Sequence, residues 1–296
     1  FIRCEFPAWM LNAIWSTWRR HPLCENKFMA SIIAIANQKG GVGKTTTAVN
    51  LAACLSALRQ NVLLIDLDPQ GNATMGCGVD KHAVSATSYD VLLGEATLTE
   101  ALQWVEKAQM QLLPANGDLT AAEINLLEQE NAPGRLRAAL AAVEWNFDGI
   151  IIDCPPSLNM LTVNALTAAQ SVIIPVQCEY YALEGLSALL DTIDKVRKST
   201  NPGLRVEGVL RTMFDPRNRL ANEVSAQLLE HFGDTVFEAV IPRNVRLAEA
   251  PSYGLPIIHY DDGSRGAQSY RELAREVRKR LRRPNVKATA RDGAST

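Results

Sequence analysis

From Ser31 onward, short runs that are apolar at nearly every position alternate with stretches whose apolar residues recur every three or four positions. The continuous runs are Ile32 to Ala36, Val62 to Ile65, Gly149 to Ile152, Val172 to Val176, Val206 to Leu210 and Val236 to Ile241. Each is too short for a buried helix and fits a strand covered on both faces. Between the first two, Thr45 to Leu58 carries Ala48, Leu51, Ala52, Leu55 and Leu58 at helical spacing. Leu98 to Lys107, Ala121 to Glu130, Arg135 to Val143, Glu184 to Lys198, Asn222 to Phe232 and Tyr270 to Arg283 read as further helices. Strands that alternate with helices in this way predict a doubly wound α/β fold, a mostly parallel sheet with helices on both faces and right-handed crossovers.

No repeat or low-complexity block interrupts the alternation, which predicts one domain over 29–283. Residues 1–28 differ: they hold Trp9, Trp15 and Trp18, three of the five tryptophans, and Cys4 and Cys24. They are expected to be a non-native or disordered N-terminal extension, with a short amphipathic helix as the alternative. Arg19, Arg20 and His21 follow their apolar part, and no small-residue cleavage site does, which does not fit a secretory signal. Residues 284–296 are polar and aperiodic, the pattern of a disordered tail.

Charge changes this picture little. Lys and Arg number 30 against 32 Asp and Glu, so any nucleic-acid surface must come from local clustering. The six cysteines are scattered without a C-x-x-C pair, the pattern of reduced thiols rather than of a disulfide framework or zinc site. No apolar run reaches the roughly 18 residues of a membrane span.

The chemistry concentrates at strand ends. Asn37-Gln38-Lys39-Gly40-Gly41-Val42-Gly43-Lys44-Thr45-Thr46 joins the first strand to the first helix. Its glycines let successive N–H groups face anionic oxygens, and the helix N-terminus adds partial positive charge. Lys44 can reach β- and γ-phosphates, and the Thr45 hydroxyl can ligate Mg²⁺. Gln38 stands where a G-x-x-x-x-G-K-[ST] motif has its first glycine, and a second lysine, Lys39, opens the loop. Lys39 is either a solvated surface lysine or a cation that reaches across a two-fold axis into a partner's site, as a trans-acting arginine does. Asp66 and Asp68 end the second strand and Asp153 ends a later one, so all three converge on the loop. One suits Mg²⁺, held through water, and another the orientation of an attacking water.

The deviant loop Lys39 to Thr45, the segment Asp66-Leu67-Asp68-Pro69-Gln70-Gly71-Asn72, the segment Asp153-Cys154-Pro155-Pro156 and the segment Ile241 to Ser252 together resemble the ParA/Soj chromosome- and plasmid-partitioning ATPases. The resemblance covers about Ser31 to Leu281 and implies a P-loop NTPase fold of the MinD/ParA type. It implies a slow, Mg²⁺-dependent ATP hydrolase that closes into a homodimer with ATP. It further implies non-specific binding of double-stranded DNA and stimulation by a ParB-like centromere-binding partner, in a cytoplasmic, nucleoid-associated protein with no stable membrane association. By position, Gly40, Gly41, Val42, Gly43, Lys44, Thr45 and Thr46 match the phosphate cradle, and Lys39 matches the lysine that enters the partner's site. Lys39, Lys44 and Asp68 match the catalytic set, Thr45, Asp66 and Asp153 the metal set, and Pro242 the loop that holds adenine.

DNA binding without sequence readout needs clustered cations only. Arg211, Arg217 and Arg219 after the fifth strand, and Arg243 and Arg246 after the sixth, are candidates, with Arg217, Arg219, Arg243 and Arg246 the site expected. The family's DNA surface best matches Arg217 and Arg246. The last helix adds further cations, which either extend this patch or solubilise the helix. Three alternatives remain: a MinD-like ATPase that cycles on membranes, which needs larger apolar residues than Leu273, Val277 and Leu281; a cluster carrier resembling the nitrogenase iron protein, which needs cysteines such as Cys154 or Cys178 at a dimer axis; and a ParA-like ATPase that positions a cargo other than DNA.

Overall fold

The computed structural model describes residues 30–179 and 182–281. The expected extension (1–28) and tail (284–296) lie outside the described residues, as do Arg282 and Arg283 of the last predicted helix.

Eight strands form one sheet in the order β3-β4-β2-β5-β1-β6-β7-β8. They are β1 (Ser31–Ile35), β2 (Val62–Asp66), β3 (Gln103–Val105), β4 (Met110–Leu113), β5 (Gly149–Asp153), β6 (Ser171–Gln177), β7 (Arg205–Phe214) and β8 (Val236–Pro242). All neighbours pair in parallel except β3 with β4. The doubly wound, mostly parallel α/β fold expected from the sequence is therefore the fold of the described residues.

Twelve α-helices cover the sheet among the described residues: α1 (Lys44–Ala57), α2 (Asn72–Gly76), α3 (Ser88–Leu93), α4 (Leu98–Ala101), α5 (Leu119–Leu127), α6 (Arg135–Ala141), α7 (Met160–Ala168), α8 (Ala182–Ser199), α9 (Arg219–Phe232), α10 (Val245–Glu249), α11 (Ile257–Tyr260) and α12 (Arg265–Leu281). Successive strand residues point to opposite faces. Ile32 and Ala34 of β1 thus enter one core, with residues of α5 to α9, while Ile33 and Ile35 enter the other, with α1, α11 and α12. Two covered faces explain why the central strands carry no polar alternation.

Three expectations need correction. Leu98 to Lys107 is not one helix: α4 ends at Ala101, closed at its start by reciprocal bonds between Thr97 and Glu100, and the chain turns extended. Gln103–Val105 then pairs antiparallel with Met110–Leu113, a hairpin absent from the sequence reading, because cross-strand burial of Val105 and Met110 outweighs local helical preference. The strand expected over Val206 to Leu210 runs on to Phe214, since Arg211 and Thr212 still pair with β6 and Phe214 with Pro242 of β8. Arg211 consequently lies inside a strand, not in a loop, and donates to the Ser225 hydroxyl and the Phe237 carbonyl.

Helix α12 packs against β8 and bonds backbone groups where the β7–β8 register shifts. The N–H groups of Glu238 and Ala239 donate to the Glu276 carboxylate at 3.1 and 3.0 Å, and Arg280 donates to the carbonyls of Glu207 and Val236. The Arg280 guanidinium also lies 4.1 Å from the centroid of the buried Phe237 ring. Cations of the last helix are in part fold-building.

Gly208 of β7 lies under that ring; a Cβ there would come within 2.4 Å of Phe237. The ring is fully buried below Arg280 and cannot give way. Gly208→Ala should therefore lower stability by about 1–3 kcal/mol, the usual cost of overpacking, read as a fall in thermal midpoint.

Candidate active site

The loop from Ala36 to Gly43 crosses the carboxyl ends of β1 and its neighbours. Asn37 donates to the Pro175 carbonyl at 2.7 Å and accepts from the Lys39 N–H at 3.0 Å, which anchors the loop's entry. Its far end is tied to β7, where the Thr212 hydroxyl donates to the Val42 carbonyl at 2.8 Å. Gly41 and Gly43 take left-handed φ of 73° and 87°, which a side chain would resist. Gly43 opens α1 with no side-chain cap, and the first turn holds no acidic residue. The amino end of α1 keeps its partial positive charge and its free donors for an anion.

Lys44 is buried and folds back over the loop, donating to the Lys39 carbonyl at 3.1 Å. Burial pulls its pKa down, opposed by the negative charges of Asp153 and Asp68. Thr45 and Thr46 are half-buried at the start of α1, and Gly40 lies open beside them. Parallel register sets Asp66 of β2 directly beside Asp153 of β5, and Asp153 beside Ile35 at the root of the loop. The three acids expected to converge do so, and all are buried.

Their environments differ. Asp66 accepts from the Thr74 N–H at 2.8 Å, the Thr74 hydroxyl at 2.7 Å and the Asp68 N–H at 3.1 Å. Burial nonetheless pushes its pKa up to about 6. Asp153 has no hydrogen-bond partner of normal geometry for either oxygen. Burial, then the Asp66 charge, raises its pKa well above the usual carboxylate range, although Thr45 and Lys44 favour its charged form. Asp68 accepts from the Gln70 N–H at 2.9 Å.

Two orphaned carboxylate oxygens beside a threonine hydroxyl fit a divalent cation. No group of three or more His, Cys, Asp or Glu able to hold an ion exists among the described residues. An ion here would draw on Thr45, Asp153, Asp66 and water, with the remaining ligands from a phosphate, the habit of Mg²⁺.

Lys39 stands at the rim, outside the cradle, its ammonium 3.0 Å from Glu179 and one-third exposed. Pro242, the residue expected beside adenine, pairs in register with Phe214, two residues beyond the Thr212 that holds the loop. The four arginines expected to bind DNA are on the surface, but three are paired. Arg217 grips Asp215 with two bonds of 3.0 and 2.8 Å, holding that carboxyl down at about 2. Arg219 pairs with Glu223, and Arg246 with Glu249 and Asp261. Arg217, Arg243, Pro242 and Phe214 line one groove of about 600 Å³ together with Arg265, which the sequence reading missed because it began the last helix at Tyr270. Thr74, Thr212 and Glu179 were also missed; each touches the site through a partner remote in sequence, and no local pattern marks it. Cys154 and Cys178 are buried, with the Cys178 thiol pushed up to about 11, away from any exposed bridging position.

A glycine loop on an uncapped helix, faced by a buried lysine and strand-end carboxylates, is built for a polyphosphate with a divalent cation, the site of a P-loop ATPase. A family model described as an AAA domain matches residues 30–206. The chain is 54% identical over 249 residues to the sporulation initiation inhibitor protein Soj of Bacillus subtilis, covering 84% of this chain and 98% of that protein. It is 53% identical over 249 residues to the chromosome partitioning protein ParA of Myxococcus xanthus, covering 84% and 88% respectively. Among solved structures, a cobyrinic acid a,c-diamide synthase from Mycobacterium smegmatis with bound ADP and magnesium superposes with a TM-score of 0.76 at 39% identity, covering 86% of this chain and 96% of that one. The chain belongs to the ParA/Soj family of chromosome-partitioning ATPases.

An unpartnered buried carboxylate destabilises the nucleotide-free protein. Asp153→Asn should raise the thermal midpoint without nucleotide, by about 2–4 °C per kcal/mol recovered. Because the folded-state pKa of Asp153 is raised, its penalty grows as pH rises through that pKa and disappears as pH falls. The gap between variant and wild type should therefore widen from pH 5 to pH 8. The variant should also lose the extra stabilisation that ATP with Mg²⁺ gives the wild type. Scanning calorimetry across pH, with and without ATP, checks both.

Proposed function

We propose that this partitioning ATPase uses ATP to close a homodimer that binds double-stranded DNA without sequence preference, and that a ParB-like partner stimulates hydrolysis and so releases it. The observation that carries this reading is the position of Lys39. It lies beside the glycine loop yet outside it, one-third exposed, and among the described residues its ammonium pairs with Glu179. An exposed pair of this kind is worth little, about 0–1 kcal/mol, so Lys39 is cheaply freed to reach a phosphate in a second subunit.

In the proposed cycle, the N–H groups of Gly40 to Thr46 and the Lys44 ammonium hold the phosphates. Thr45, Asp153 and Asp66 hold Mg²⁺, which when bound neutralises charge on the β- and γ-phosphates. Lys39 of the second subunit adds a cation where charge develops, and Asp68 orients the attacking water. Pro242 borders the adenine. Loss of the γ-phosphate removes the anion that Lys39 crosses to meet, and the dimer reopens. Lys44→Ala should abolish ATP binding, whereas Asp68→Ala should dimerise with ATP and stall.

Dimerisation doubles every arginine patch, which makes DNA affinity depend on ATP through avidity. Each patch also carries its own brake: Asp215, Glu223, Glu249 and Asp261 nearly balance Arg217, Arg219, Arg243 and Arg246. The helix that a membrane-cycling ATPase would lay on lipid has its apolar residues Tyr270, Leu273 and Val277 fully buried in the second core. That favours a nucleoid-associated, cytoplasmic protein over the membrane reading.

Fluorescence anisotropy of a random duplex tests the proposal. Binding should appear with ATP, not ADP, and weaken steeply with salt, with a log–log slope of about −0.9 per phosphate contacted. Arg217→Ala with Arg246→Ala should abolish it, and Asp215→Asn should tighten it. Equal binding by the double arginine variant would remove the DNA face from this place. Absence of binding in both nucleotides would turn attention to another cargo.

A further inference from the structure

We infer that Thr74 is a positioning residue for ATP hydrolysis, acting through Asp66 on Asp68; the inference rests on the reading that Asp68 orients the attacking water.

The Ala115 N–H, just beyond β4, donates to the Thr74 hydroxyl oxygen at 2.9 Å. An N–H can only donate, so the hydroxyl's single proton is directed to Asp66, 2.7 Å away. The Thr74 N–H reaches the same carboxylate oxygen at 2.8 Å, and the other oxygen accepts from the Asp68 N–H at 3.1 Å. The result is one continuous chain, from the Ala115 N–H through the Thr74 hydroxyl to the Asp66 carboxylate, on which the Asp68 backbone hangs. Thr74, Asp66 and Ala115 are fully buried, so no solvent competes for these donors.

The loop between Asp68 and Thr74 meets Ala115 a second time. Gly71 has φ 62°, its N–H donates to the Asp68 carbonyl at 2.8 Å, and a Cβ on it would approach the Ala115 carbonyl to 2.7 Å. The Asp66–Thr74 segment is thus bonded through Thr74 to the residue beyond β4 and packs closely against it at Gly71. Both Asp66 oxygens are engaged within the protein, whereas both Asp153 oxygens are not. Asp66 therefore aligns its neighbour Asp68 in addition to any ion it helps to hold, and Thr74 sets Asp66.

Valine at position 74 keeps the shape, removes the proton that holds Asp66 and leaves the Ala115 N–H without its acceptor. Serine keeps both bonds. A misplacement of about 1 Å can cost about 10²-fold in rate, while the phosphate cradle is untouched. The test is single-turnover hydrolysis of ATP with Mg²⁺ and random duplex DNA by full-length wild type, Thr74→Val, Thr74→Ser and Asp68→Ala, with ATP affinity measured in parallel. The expected result is a loss of about tenfold or more for Thr74→Val at unchanged ATP affinity, with wild-type turnover for Thr74→Ser. A wild-type rate for Thr74→Val, a rate loss matched by an equal loss of ATP affinity, or a serine variant as slow as the valine one overturns the inference. Should Thr74→Val fail to fold, Thr74→Cys, of similar size and a weaker donor, is judged by the same criteria. If Asp68→Ala itself turns over normally, the reading of Asp68 fails; if Asp68→Ala stalls and Thr74→Val does not, the Thr74 inference alone fails.

Discussion

The uncapped amino end of α1 is the constraint on which the rest of the structure depends. Free backbone donors at a helix start are what an anionic ligand needs and what a helix lacking a ligand can least spare. With no cap at Gly43, α1 is held by packing instead. Thr47 to Ser56 are buried on every side, against the sheet and the helices of the second core. The Tyr270 and Thr47 hydroxyls lie 3.2 Å apart, and the Ile257 N–H donates to Asn50 at 2.6 Å. Helix α12 thus steadies α1, and through it the phosphate loop.

A second consequence follows from burial. Collecting Asp66, Asp68 and Asp153 around Lys44 creates a site with too much negative charge for its low dielectric surroundings, and burial raises the pKa of the two strand-end acids accordingly. Such a site trades stability for readiness: a divalent cation arriving with the nucleotide would offset the excess negative charge. Under the proposed cycle, nucleotide occupancy and folding stability would be coupled for that reason.

The surface works in the opposite electrostatic style. Arg217, Arg219 and Arg246 are each set beside a carboxylate, in a chain of nearly zero net charge. Individually these pairs are weak. Under the proposed cycle, affinity for DNA would then arise from pairing two subunits rather than from any one cation.

Much of this was legible before folding. Short apolar runs specify buried parallel strands because both sheet faces are covered. The cradle from Lys39 to Thr46 is legible because its donors, lysine and hydroxyl are neighbours in sequence, and the acids are legible because strand ends in such sheets meet at one edge. The β3–β4 hairpin was hidden because three- and four-residue strands exist only through their pairing. Arg211 and Arg280 looked like surface cations, yet one is threaded into a strand and the other lies over Phe237 and bonds the Val236 carbonyl of β8. The Lys39–Glu179, Arg217–Asp215 and Thr74–Ala115 contacts depend on which strand and loop ends come together. The sequence by itself determined the class of fold and the chemistry of the phosphate site, since both rest on local spacing and hydrophobic pattern. Only the tertiary structure decided which charges are paired and which carboxylate is left open, since hydrogen-bond partners are chosen by register and burial across segments far apart in the chain.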